Sequence, residues 1–177
     1  CKEGKSFENV IREAKCIIGP VVFSKNGEIT GSSINKKMSV ETLLQEMTKE
    51  QILFGGCINE EIRHECEQKE IKAFDFMKMD DVAIYNAIAT AEGAIMEAIK
   101  MQPINLHKSR CLVLGYGRCA KVLAAKLKGM DAQVTVCARN KTARSLAKSF
   151  GLEVMDFTEL KRRICQYDHI FNTVPKQ

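Results

Sequence analysis

Apolar runs and amphipathic stretches alternate along this chain, and the period switches from strand to helix and back. An apolar run at 111–114 breaks at Gly115 into Gly-Tyr-Gly-Arg-Cys-Ala and then into a helical pattern. A second run at 133–138 follows, and Asn140 caps a helix carrying Ala143, Leu146, Ala147 and Phe150. Gly151 stops that helix, 152–155 reads as a strand, Phe157, Leu160 and Ile164 mark another helix, and 169–173 reads as a fourth strand. The first half repeats the theme: a buried strand at 15–22, a turn at 24–27, and a helix from Ser39 with Leu43, Leu44 and Met47 on one face. A strand at 51–54 then stops at Gly55-Gly56, Asn59 caps a helix to about Cys66, and a third short strand covers 71–77. Between the halves a helix runs from an N-cap at Asp80 to about Met101, with Ile84, Ile88, Ala91, Ile95 and Ile99 as its packing stripe.

Strand–helix alternation of this kind predicts an α/β fold with parallel sheets. Two lobes are expected, joined by the long helix. Residues 1–79 form a partial, flavodoxin-like substrate lobe that lacks its own first strand. Residues 80–102 form the connecting helix, and residues 103–177 a Rossmann dinucleotide-binding domain cut short at its C-terminus.

The turn after the 111–114 run carries the chemistry. In G-x-G-x-x-A the first glycine permits the tight turn, the second lets backbone approach a pyrophosphate, and the small third residue lets helix and sheet pack closely. The helix start then offers unpaired N–H groups and the positive end of a dipole to the phosphates. Gly115, Tyr116, Gly117, Arg118 and Cys119 are therefore candidate cofactor residues. An NAD site would place an acid about 20 residues further on, at the end of the second strand, to hold the ribose 2′-hydroxyl. This chain has Ala138, Arg139, Asn140, Lys141 and Arg144 there instead. Such donors suit a 2′-phosphate and favour NADP over NAD. The plainer alternative makes Lys141 and Arg144 solvated first-turn residues and Asn140 merely an N-cap. In a doubly wound sheet the end of the 169–173 strand faces the same crevice as Gly115, which brings Asn172, Thr173, Val174 and Pro175 toward the nicotinamide ribose.

Composition narrows the class without deciding it. The 177 residues have 45% hydrophobic content, enough to bury a core in one large or two small domains. No stretch of 18 consecutive apolar residues and no signal-peptide pattern is present, so no membrane association is expected. The chain opens on Cys1 without a Met, as a fragment would. Residues 1–100 hold 13 basic against 17 acidic residues, whereas 101–150 hold 10 basic residues and the single acid Asp131. Lys121, Lys126, Lys128 and Lys148 have the spacing of solvated helix faces, and no nucleic-acid signature accompanies them. Attraction for a polyanionic cofactor accounts for the patch more economically. Eight cysteines include no C-x-x-C pair. Cys57, His64 and Cys66 lack a fourth ligand, so no metal is expected. Buried free thiols at Cys16, Cys111 and Cys137 point to a reducing, cytoplasmic compartment.

A general base is harder to find. His64, His107 and His169 are poorly placed, which leaves Glu92, beside Thr90 and near Asn86 on the long helix, to act if burial raises its pKa. The bland alternative is a helix-surface glutamate. Gly93 interrupts the same helix and invites either close helix–sheet packing or a ligand.

Taken together, Met79-Asp80-Asp81-Val82-Ala83-Ile84-Tyr85-Asn86, Thr90-Ala91-Glu92-Gly93, the 112–118 turn, Val136-Cys137-Ala138-Arg139 and Asn172-Thr173-Val174-Pro175 resemble the dipicolinate synthase A-subunit family over residues 15 to 177. The resemblance implies oxidation of a dihydrodipicolinate-type precursor to pyridine-2,6-dicarboxylate, with hydride passing to NADP, during sporulation in the mother-cell cytoplasm of a spore-forming bacterium. It also implies a partner in the form of a flavoprotein-like B subunit, together with kinship to shikimate and D-2-hydroxyacid dehydrogenases; self-association is left open. A small dicarboxylate would be recognised by groups at strand C-termini: Ser24, Lys25, the Gly55-Gly56 backbone and Asn59. Family members are longer at both ends, so this chain reads as truncated and is expected to be inactive alone. Two alternatives stand beside this reading: a dehydrogenase of shikimate or 2-hydroxyacid type, and a non-catalytic NADP-binding subunit.

Overall fold

The computed structural model describes residues 6–31 and 38–174. Pro175 therefore lies outside the described residues. The chain divides into two compact units, residues 1–83 and 84–177.

The first unit is a three-stranded parallel sheet with helices against one face. Its elements are α1 (Phe7–Glu13), β1 (Cys16–Ile18), a hairpin of β2 (Ser24–Lys25) and β3 (Glu28–Ile29), α2 (Val40–Glu46), β4 (Ile52–Gly55), α3 (Glu60–Gln68) and β5 (Lys72–Asp75). The sheet order is β1-β4-β5, all parallel. Period-2 alternation sends Ile17, Leu53 and Ala73 to the core face, where they meet Ile11, Phe23, Leu43, Leu44 and Ile62. Ser6, Ser39 and Asn59 cap the three helices as acceptors from the backbone three residues on.

The expected buried strand at 15–22 is shorter and more open. β1 stops at Ile18, which is 77% exposed, and Cys16 is exposed as well. Pro20 carries no N–H for a ladder, and β1 is an edge strand, so an apolar run that reads as interior lies at the margin. The turn at 24–27 closes a true hairpin, with Asn26 and Gly27 both at positive φ (54° and 78°). The third strand ends at Asp75, and Phe76–Lys78 forms a 3-10 turn instead of continuing it.

Helix α4 (Asp80–Met101) follows, with Asp80 in its first turn. By length and composition it could cross a membrane. Ala91 and Ile95, however, are buried in the core of the second unit. The predicted stripe is rotated: Ala83, Ala87, Ala91 and Ile95 are buried at four-residue steps, while Ile84 and Ile99 are exposed. Gly93 has open space where a Cβ would stand, which excludes close helix–sheet packing as its reason.

The second unit continues with β6 (Arg110–Leu114), α5 (Arg118–Gly129), β7 (Gln133–Cys137), α6 (Lys141–Ser149), β8 (Glu153–Met155), α7 (Phe157–Arg163) and β9 (His169–Asn172). All four strands are parallel, in the order β8-β7-β6-β9. Cys111, Val113, Val134, Val136 and Phe171 face the core formed with α4, α5 and α6. Leu112 and Cys137 face the opposite side, toward Phe157 and Leu160 of α7. Both faces are covered, as a parallel sheet requires. Burial pushes the Cys137 thiol up to about 11, so it stays neutral at physiological pH.

One buried charge organises the strand ends of the first unit. Asp75, 8% exposed, accepts from the N–H groups of Cys57 (3.0 Å), Ile58 (3.1 Å) and Met77 (2.9 Å). Truncation would strand these donors away from water. Asp75→Ala is expected to cost about 2–4 kcal/mol of stability, read as a fall in the urea midpoint. An unchanged midpoint would show that water replaces the carboxylate without cost.

Candidate functional site

The site grows out of the way β6 ends. Gly115 adopts φ 94°, and a Cβ there would stand 2.9 Å from Thr173 Oγ1. Only glycine meets both conditions at low cost. Gly115 N–H donates to the Cys137 carbonyl (2.8 Å), while Thr173 donates to the Leu114 carbonyl from N–H (3.1 Å) and hydroxyl (2.6 Å). The turn is thereby pinned to both neighbouring strands. β6 and β9 are the pair at which the strand order reverses, the crevice where open α/β sheets bind ligands.

Gly117 is the N-cap of α5 and supplies no side-chain acceptor. Helices α1, α2, α3, α6 and α7 each have one, from Ser6, Ser39, Asn59, Asn140 and Asp156. Open space lies where a Gly117 Cβ would be, and Ala120 is fully buried against the sheet. The start of α5 is thus an unblocked helix N-terminus, suited to an anion. Tyr116 turns its ring onto the core, with Lys121 Nζ 5.9 Å from the ring centroid, and burial raises its phenol pKa. Cys119 lies in the first turn of α5. It lines a cavity with Thr90, Asn172 and Thr173, walled by Leu123 and Phe171.

The donors at the end of β7 separate into two kinds. Arg144 Nη1 donates to the carbonyls of Ala138 (2.5 Å) and Arg139 (2.7 Å) and to Asp156 Oδ2 (2.6 Å). Its Nη1 is committed to acceptors of the protein, so the 2′-phosphate role suggested by the sequence competes with a structural one. Asn140 Oδ1 accepts from Thr142 (2.7 Å) and Ala143 (3.2 Å) N–H groups as the N-cap of α6. Ala138 is buried, its N–H donated to Met155. Arg139 and Lys141 remain exposed, the Arg139 guanidinium 5.8 Å from the Phe157 ring centroid. Asp156 is missed by the sequence reading although Asp156 and Glu159 have capping-box spacing. Parallel pairing of β7 with β8 brings it to Arg144. Hydrogen bonds from Thr158 and the Arg144 charge hold its carboxyl below the usual range.

The three candidates on α4 do not converge. Thr90 borders the cavity, and its hydroxyl donates to the Asn86 carbonyl (2.8 Å). Glu92 faces a different groove, where Lys126 Nζ donates to its carboxylate at 2.9 Å. It is a surface ion pair rather than a buried base beside Thr90. Val174 N–H donates to Asn172 Oδ1 (3.1 Å). In the first unit, Ser24 and exposed Lys25 sit in the hairpin. Gly56 N–H donates to Pro20 (3.0 Å), and its carbonyl accepts from Phe23 (2.8 Å). A Cβ at Gly56 would meet the Val21 carbonyl oxygen at 2.2 Å, so this glycine serves packing and offers no amide to a carboxylate. The Asn59 oxygen is used as the α3 cap.

The fold and the open helix start define the Rossmann nucleotide-binding class found in dehydrogenases. Residues 1–77 match the family of the dipicolinate synthase A-subunit N-terminal domain, and residues 95–177 match shikimate/quinate 5-dehydrogenase. The dipicolinate synthase A subunit of Bacillus subtilis (strain 168) is 33% identical over 124 residues, covering 70% of this chain and 42% of that protein. The crystal structure of the dipicolinate synthase A subunit from Bacillus halodurans superposes with TM-score 0.81 at 25% identity, over 93% of this chain and 57% of that one. Its Bacillus subtilis counterpart gives 0.73 at 29% identity, over 92% and 55%. The transhydrogenase of Sinorhizobium meliloti shares the fold at TM-score 0.65 and 12% identity, over 95% and 52%. The resemblance to the dipicolinate synthase A subunit read from the motifs thus holds in sequence and structure. The chain spans about half the length of these relatives.

Arg144→Met is expected to lower the urea midpoint while leaving the ratio of NADP to NAD affinity unchanged. Because the folded state depresses the Asp156 pKa, this contribution is present above the unfolded value near about 4 and fades as pH falls through the folded one. A collapse of the affinity ratio in titration calorimetry would return Arg144 to the cofactor.

Proposed function

We propose that this chain is the substrate-lobe and cofactor-lobe part of an NADP-dependent oxidoreductase of the dipicolinate synthase A type. It would oxidise a dihydrodipicolinate-type precursor to dipicolinate in the mother-cell cytoplasm of a sporulating bacterium, beside a flavoprotein-like B subunit. The observation that carries this reading is the uncapped start of α5 at Gly117, with exposed Arg139 and Lys141 at the end of the adjacent strand, in a chain whose residues 1–77 match the A-subunit family.

A bound nicotinamide dinucleotide would supply the two-electron acceptor. The N–H groups of the first α5 turn would hold its pyrophosphate, Gly117 would give it room, and Arg139 and Lys141 would meet the 2′-phosphate. Thr173, fixed by Leu114, and Asn172 would border the ribose side. In the reaction, hydride leaves a ring carbon of the precursor and a proton leaves its neighbour, which restores aromaticity. Thr90 is the polar residue among those of α4 that border the cavity with Cys119, Asn172 and Thr173. Lys25, Ser24 and the amide N–H groups of Asn59, whose oxygen alone is spent on the cap, are the remaining candidates for the substrate carboxylates.

A second reading, a shikimate- or quinate-type dehydrogenase, draws on the match of residues 95–177. The two separate in one assay: the whole protein with NADP and either dihydrodipicolinate or shikimate, following absorbance of the reduced cofactor. Reduction with dihydrodipicolinate supports the first reading and reduction with shikimate the second. Reduction with neither, under conditions where NADP binds, indicates a non-catalytic binding subunit.

Two substitutions test the cofactor geometry. Gly117→Ala has an ordinary φ of −81° and free space, so the variant is expected to keep its melting temperature yet lose dinucleotide affinity by at least about tenfold. Retained affinity would place the pyrophosphate elsewhere. Arg139→Asp is expected to weaken NADP by at least about tenfold and spare NAD, since a charge-assisted phosphate contact is worth roughly 1.5–3 kcal/mol. Equal losses for both cofactors would remove Arg139 from the 2′-phosphate site.

A further inference from the structure

The outward side of α4 carries a second pattern that the cofactor site does not use. Val82, Tyr85, Ala89, Glu92, Met96 and Ile99 recur at steps of three and four, the seven-residue repeat of a helix that packs against another helix. All six are exposed; Val82 is 37%, Tyr85 74%, Met96 48% and Ile99 50% accessible. They lie nearly opposite the buried Ala83, Ala87, Ala91 and Ile95. So many large apolar side chains on one exposed helix face mark an interaction surface.

The pattern is also a palindrome. If a second α4 runs antiparallel about a twofold axis between Ala89 and Glu92, Val82 meets Ile99, Tyr85 meets Met96, and Ala89 meets Glu92. The same axis sets Asp81, in the first turn, against Lys100, in the last turn, at both ends. Twofold interfaces require this self-complementarity, in which residue i meets j and j meets i. Antiparallel pairing also places each helix N-terminus beside the other C-terminus, which suits their dipoles. Tyr85 of the second copy would reach the shallow groove beside the stripe, formed by Ile95, Met96, Ile99 and Met130 with Gly129 between α4 and α5. Glu92, the polar member of the stripe, is neutralised within its own chain by Lys126 at 2.9 Å.

From this symmetry we infer that the outward face of α4 is a homodimer interface, with a second copy of the chain packed antiparallel through Val82, Tyr85, Met96 and Ile99 and locked by Asp81–Lys100 pairs. The inference does not rest on the cofactor reading. The test is sedimentation equilibrium of the whole protein, with three variants. Asp81→Lys and Lys100→Asp should each weaken dimerisation by at least about tenfold, since each turns two attractions into repulsions. The combination of both should restore it. The native Asp81 and Lys100 charges also complement the α4 dipole, and Lys100 pairs with Glu97 at 3.4 Å. Melting temperatures measured at monomeric concentrations should therefore fall by a few degrees in each single variant and further in the double. Pairing that returns in the double variant despite that fall separates loss of pairing from loss of folding. Met96→Glu should abolish the dimer by placing a charge within the apolar stripe. The inference is overturned by a protein that stays monomeric at about 100 µM, far above the micromolar range of a modest dimer. It is equally overturned by a dimer indifferent to the single charge reversals, or by a monomer whose α4 face instead binds vesicles or the partner subunit in a Met96→Glu-sensitive way.

Discussion

The second unit depends on how the chain leaves β6. Leu114 keeps its carbonyl bonded to the N–H and hydroxyl of Thr173, while Gly115 turns at positive φ and donates to Cys137 on the other side. Those bonds hold the last residue of β6 in the sheet and release the next one from it. The turn can be this tight only because no Cβ stands between Gly115 and Thr173. From there α5 must start at a fixed point above the sheet, with its first N–H groups over the crevice and Ala120 against the strands. The open start of α5 is therefore a consequence of the strand pairing, not of a flexible loop.

The same economy explains which polar groups remain for a ligand. Side chains that read as binding donors are consumed where an unpaired backbone group lies nearby. Arg144 satisfies two carbonyls and pairs with Asp156, while Asn140 and Asn59 cap helices. A buried or half-buried backbone group without a partner costs more than a solvated cation gains, so the fold takes its needs first. Arg139 and Lys141 lie past the end of β7 and are spared that demand.

Helix α4 shows how one element carries two jobs at once. A helix of 22 residues has room for a buried face at Ala83, Ala87, Ala91 and Ile95 and an exposed face at Val82, Tyr85, Met96 and Ile99. Ala91 and Ile95 pack into the core of the second unit, while Val82, Tyr85, Met96 and Ile99 stay outside. Its mean hydropathy alone would suit a membrane, but the division into faces is the mark of a helix packed on one side.

The sequence by itself determined the elements and their order. The short apolar runs at β4, β6, β7 and β9, the caps at Ser39, Asn59 and Asn140, and the Gly115 turn are local features, set by side-chain hydrophobicity and backbone hydrogen bonding within a few residues. The likeness to the dipicolinate synthase A subunit is legible for the same reason, since its motifs are contiguous. Tertiary structure alone decided which side chains stay available. Arg144 meets Asp156 only because β7 and β8 pair in parallel, and Glu92 leaves Thr90 for Lys126 only because α5 packs beside α4. Of the buried face of α4 the sequence marked Ala91 and Ile95 but not Ala83 and Ala87, because alanine carries little hydrophobic signal beside the exposed Ile84 and Ile99. The strand at β1 is exposed although its sequence carries no mark of an edge position beyond Pro20. Edge or centre, and donor free or donor spent, are properties of neighbours distant in sequence, and only the assembled sheet supplies them.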